Sequence, residues 1–147
     1  MLMKAELANS ILEENHSTCV ILKGEEIIYT SSYIGVKPLL VFMKEPKVYE
    51  ASELILVDKV IGKAALLLAA KIGITEIYTP VTSLAALAAA KEHNISLYAA
   101  EVVPYIENRT KTGMCPIEMS VTNTNDLNEA FHNISDTIKV LMVAKSN

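Results

Sequence analysis

The sequence predicts an α/β protein built on a mixed five-stranded sheet covered by helices, and three observations carry that prediction. Between residues 53 and 103, short β-rich apolar runs alternate with Ala/Leu-rich runs of helix length, the pattern of successive crossover units and hence of parallel strands. Upstream, "TCVILKGEEIIYTSS" reads as a hairpin turning at Lys23, Gly24 and Glu25. A long polar segment and a final helix with one apolar stripe complete the chain.

Each element follows from local pattern. Residues 2 to 14 place Met3, Leu7 and Ile11 on one helical face, with Ala8 and Leu12 beside them. After the hairpin, "GVKPLLVFMKE" predicts a short helix with Pro38 in its first turn and Lys44 in its last. "ELILVD" (53–58) is a strand, and "KVIGKAALLLAAKIG" is a helix that begins at Lys59 and stops at Gly73. "ITEIYT" is the next strand, "PVTSLAALAAAKEHN" a helix from Pro80 to Asn94, and "ISLYAAEVV" the last strand. The loop "PYIENRTKTGMCPIEMSVTNTN" is long enough to be a functional one. The final helix, from about Asn125 to Leu141, carries Leu127, Phe131, Ile134, Ile138 and Leu141 on one side, with Asp126 and Glu129 spaced as a capping box.

At 147 residues and 51% hydrophobic, the chain is expected to form a single domain, residues 1–147, with its own core. A net charge of -4 without any basic run argues against nucleic acid or an anionic membrane as the main partner. No apolar run approaches the ~20 residues of a membrane span. The two cysteines, Cys19 and Cys115, fit neither a zinc ribbon nor a disulfide framework, so the expected setting is a reducing cytoplasm.

The chemistry is expected where parallel strands hand over to helices, because ligands of open α/β sheets gather outside the carboxyl ends of the strands. "DKVIGK" places Asp58, Lys59, Gly62 and Lys63 at such a handover. Lysines at a helix amino terminus are electrostatically unfavourable unless an anion sits there, and Gly62 would let one approach the backbone. A P-loop is excluded, since its upstream glycine is missing and Ala64 replaces the magnesium-binding Ser/Thr. The competing explanation has Asp58 capping the helix and both lysines reaching into water. Cys115, between Gly113 and Pro116, is either a nucleophile at a helical turn or a half-buried thiol.

Three segments in order, "GVKPLL", "VDKVIGKAA" and "VVPYIENRTKTGMCPIE", resemble a mainly bacterial family of unknown function, domain of unknown function 1893, whose members have a cytidine deaminase-like fold. The resemblance implies a three-layer α/β/α sandwich and gives weight to Asp58, Lys59, Gly62, Lys63 and Cys115 as motif positions. Zinc deaminases open two helices with His/Cys and Pro-Cys-x-x-Cys motifs. The corresponding starts here, "YIGVKP" and "DKVIGK", hold no His, Cys or Glu, so no zinc is expected and the cofactor is unknown. The leading expectation is a sensor or regulator binding a nucleotide or other phosphate-bearing metabolite, ADP-ribose-like compounds included, at Asp58–Lys63. The alternatives are an enzyme of non-deaminase chemistry using Cys115 with Lys59, and an interaction module that forms a homodimer.

Overall fold

In the computed structural model, residues 5–45 and 54–146 are described. The expected places of Met3 and Glu53 lie outside these residues. Strands β1 (Cys19–Lys23) and β2 (Glu26–Ser31) form the expected hairpin, its turn using Gly24 in the left-handed region at φ +61. β1 also pairs antiparallel with β3 (Leu54–Asp58), which brings Cys19 opposite Asp58. β3, β4 (Val60–Ile61) and β6 (Ser96–Val103) all run parallel to β5 (Glu76–Ser83).

The sheet is open and mixed, and among the described residues it has six strands rather than five. β3 and β4 keep one register against β5, with Val57 opposite Tyr78 and Val60 opposite Val81, so they share one lane interrupted at Lys59. The lane order is therefore β2, β1, β3/β4, β5, β6. Pro80 causes the interruption. It stands opposite Lys59 in that register and has no N–H for the ladder, and pairing with β6 also skips from Thr79 to Val81. The Thr79 hydroxyl bridges the gap by donating to the Val81 carbonyl at 3.0 Å and accepting from its N–H at 3.3 Å.

Two expected helix starts move as a result. Pro80 lies inside β5, and α4 (Leu84–Glu92) begins four residues later, capped by the Ser83 hydroxyl, which accepts from the Ala86 N–H at 3.2 Å. Likewise Val60 and Ile61 are drawn into β4, a pairing that suits β-branched side chains, so α3 (Lys63–Ile72) begins at Lys63 instead of Lys59. α3 ends on Gly73 at φ 101, as expected. Lys59 is therefore not a helix-start residue.

Alternation along the strands divides the core. Cys19, Ile21, Leu54, Leu56 and Ile77 face a layer formed by α2 (Lys37–Phe42), α3, α4 and α6 (Leu127–Ser146). Val20, Leu22, Val57 and Tyr78 face α1 (Ala8–Glu14), which follows a 3-10 turn at Ala5–Leu7. That turn rotates the first helix so that Ala8 and Leu12 are buried while Leu7 is 44% exposed. The central leucines of α3, Leu66 to Leu68, are fully buried, each a gain of roughly 1.5–3 kcal/mol over exposure. α6 packs on α3 through Ala130 and Ile134, and Asp126 caps it by accepting from the Glu129 N–H at 2.8 Å. Leu141, expected on its inner stripe, is 37% exposed because the helix runs past the core.

Candidate functional site

The start of α3 already holds an anion. Gly62 is its cap residue and has no side chain to satisfy the first N–H groups. The buried Glu118 carboxylate does so instead, accepting from Lys63 N–H through Oε1 and from Ala64 N–H through Oε2, both at 2.7 Å. A Cβ on Gly62 would lie 2.5 Å from Glu118 Cδ and 2.8 Å from Oε2, so the glycine is what admits the carboxylate. Burial pushes the Glu118 carboxyl above its ordinary range, while the two amides and the Lys63 charge pull it down. The Lys63 ammonium donates to the Thr122 carbonyl at 3.4 Å. Sequence reasoning placed an outside anion here and missed Glu118, which follows Pro116 on the one-turn helix α5 (Pro116–Met119). The sequence signal for it is Gly62, a residue without a side chain where the helix needs a cap.

Asp58 does not cap α3. It closes β3, is 5% exposed, faces the fully buried Cys19, and its Oδ2 has no hydrogen-bond partner among the described residues. Burial raises its carboxyl to about 7, opposed by the neighbouring Lys59 and Val60 amides and the Cys19 thiol. Burial first, and the Asp58 charge second, push the Cys19 thiol upward, so Cys19 remains a protonated thiol. Lys59, exposed at the strand break, donates its N–H to the Thr18 carbonyl at 3.1 Å. Its side chain lines a small concavity of about 270 Å³ against Asn9, Glu13 and His16 of the α1 region.

The loop after β6 is tightly built. Glu107 and Met114 form an antiparallel bridge, Asn108 N–H donates to the Gly113 carbonyl at 2.9 Å, and Asn108 Oδ1 accepts from Thr112 N–H at 3.0 Å. Lys111 at the tip adopts φ +57. Cys115, half-buried, donates its N–H to the Ile106 carbonyl at 2.9 Å just before α5. Lys59 lines the concavity beside α1, Cys115 lines neither that one nor the one at the carboxyl edge, and among the described residues no hydrogen bond joins the two.

This loop and the carboxyl ends of β4, β5 and β6 border an open concavity of about 440 Å³. Val60, Val81, Val103 and Tyr105 supply its apolar walls, and Glu107, Asn108 and Lys111 its polar rim. Arg109, the single arginine of the chain, is exposed on the same loop. A cleft of this size, with apolar walls and a few polar groups at its rim, falls in the size range of small-molecule sites.

A zinc centre of the deaminase kind does not fit these residues. The starts of α2 and α3 carry Val36, Lys37, Gly62 and Lys63, and among the described residues no group of three or more His, Cys, Asp or Glu is placed to hold a metal ion. Among the same residues, no helix is long and apolar enough to cross a membrane.

Together these features define an α/β protein with an open mixed sheet, helices on both faces and a concave carboxyl edge. A family model described as "TM1506: Domain of unknown function (DUF1893)" matches residues 7–138, and the chain belongs to this family. The crystal structure of a DUF1893 family protein (TM1506) from Thermotoga maritima is similar with a TM-score of 0.75 and 23% sequence identity, covering 95% of this chain and 92% of that one. At that identity the likeness is one of fold. No curated protein matches.

Proposed function

We propose that the chain is a zinc-less, deaminase-like protein that binds a nucleotide or another phosphate-bearing metabolite as a sensor or regulator. The ligand sits in the concavity at the carboxyl edge of β4, β5 and β6, beside the α3 start rather than on it. The observation that carries this reading is the open cleft at the carboxyl edge, where open α/β sheets hold their ligands. Its valines and Tyr105 suit the flat, apolar part of a nucleotide, and Lys111, with Arg109 nearby, suits phosphate. Gly62, Lys63 and Glu118 act indirectly, by anchoring the segment that follows the loop onto α3. Asp58 and Lys59 lie outside the walls of this cleft.

Thermal unfolding with a panel of nucleotides, ADP-ribose-like compounds and inorganic phosphate tests the reading. A ligand at a hundredfold excess over its Kd adds about 2.7 kcal/mol of stability, a shift of several degrees. Lys111→Ala and Tyr105→Ala should each reduce the shift without lowering the unliganded melting temperature. No shift with any compound, or a shift both variants retain in full, would reject this site.

A further inference from the structure

β6 is an eight-residue strand whose inner edge pairs with β5 at every residue but Ala100, which stands opposite Pro80, and among the described residues no strand pairs with its outer edge. Edges this long are normally blunted by lysine, proline or a bulge. β6 carries a single charge, Glu101, and its exposed Tyr98, Ala100 and Val102 recur with the period of one strand face.

A second observation comes from α4. Its sequence, "LAALAAAKE", is apolar around most of its circumference, yet Leu84 is 59% exposed and Ala85 and Ala88 are also exposed. A helix apolar on all sides is ordinarily covered on all sides. α4 packs on α3, β5 and β6, which makes it the last helix of its layer on the β6 side. The open strand edge and the open apolar helix thus belong to the same margin of the molecule.

We infer that this margin is a homodimer interface, in which β6 pairs antiparallel with β6 of a second copy about a two-fold axis at Ala100. An isologous contact must be self-complementary, and this register is. It sets Ala100 against itself, where small side chains permit close approach, and Tyr98 against Val102 of the partner subunit twice over. Aromatic and β-branched cross-strand pairs of this kind are favourable. It also sets Glu101 opposite Ala99 of the partner subunit, so the only charge on the strand does not face its own copy. A slip of one residue would put Tyr98 against Glu101 and lose the match. The paired sheets become continuous, and the α4 helices of the two copies come together over the join. The partner strand then runs alongside Val103, a wall residue of the concavity at the carboxyl edge.

Light scattering on the full chain across a wide concentration range should give twice the 16.1 kDa chain mass. Val102→Lys and Ala88→Glu, both at exposed positions, should shift the population toward monomer with unchanged circular dichroism. In a Cys115→Ser background, Ala100→Cys treated with copper phenanthroline, which removes two electrons and two protons per thiol pair, should form a disulfide-linked dimer. Ser96→Cys in the same background should not, because its counterpart lies at the far end of the paired strand. A monomeric mass at every concentration would overturn the inference. So would a dimer that survives both charge substitutions and, in the Ala100→Cys variant, fails to cross-link through the introduced thiol.

Discussion

Replacing Gly62 with alanine should cost far more than a surface glycine normally would. The backbone there is extended, at φ -94 and ψ -177, so alanine meets no conformational strain. The new methyl would instead occupy the position of the Glu118 carboxylate, within 2.8 Å of Oε2 and closer to the rest of the group. Expelling that carboxylate breaks two hydrogen bonds to a charged acceptor, each worth about 1.5–3 kcal/mol, and partial rearrangement of the α5 segment returns some of that, leaving a loss of about 3 kcal/mol. At 2–4 °C per kcal/mol for a chain near this size, the melting temperature should fall by about 10 °C. The cap preference of glycine over alanine accounts for about 1 kcal/mol of this, so in a Glu118→Ala background Gly62→Ala should cost only about that much. The coupling between the two positions, about 2 kcal/mol, is read from a double-mutant cycle by urea unfolding. A Gly62→Ala protein within about 0.5 kcal/mol of wild type, or an equal cost in both backgrounds, would refute the steric argument.

Two further outcomes follow from the buried pair at the end of β3. Because the folded Asp58 carboxyl titrates near 7 and the unfolded one near 3.8, the native state binds more protons between those values. Stability should therefore fall as pH rises from 4 to 7 and level off above, by at most roughly 4 kcal/mol from this group. Asp58→Asn should remove that slope and be more stable than wild type at pH 8, as urea unfolding at pH 5 and pH 8 would show; a stability difference between the two proteins that is the same at both pH values would contradict the assignment. A thiol reagent should label Cys115 in the native protein and reach Cys19 only after unfolding, since Cys19 is fully buried and its thiol is pushed upward; native labelling of both, followed by mass spectrometry, would show that the sheet opens around β1.

The hairpin, the parallel strands, Gly73 and the Asp126 cap were legible because their signals are local: a turn residue, a period, a stop, a capping side chain. The start of α4 was misplaced because Pro80 suits a helical first turn in isolation, and only the neighbouring strands reveal that it interrupts a ladder instead. The same interruption displaced the start of α3, and with it the role expected for Lys59. "DKVIGK" did mark a place where an anion meets a helix start, but the anion is Glu118, fifty-five residues beyond Lys63. No spacing rule connects the two. The Cys19–Asp58 pairing was equally hidden, since it depends on the register between two strands that the chain separates by β2 and α2.

Amide chemical shifts followed during titration with a phosphate-bearing ligand that raises the melting temperature would locate the ligand on the protein. The perturbed amides should cluster at Val60, Val81 and Val103 to Lys111, with Lys63 and Ala64 little changed because Glu118 keeps them. Perturbation centred on Lys63 and Ala64, with the carboxyl-edge residues unmoved, would mean that the ligand displaces Glu118 and that the site lies on the helix start after all.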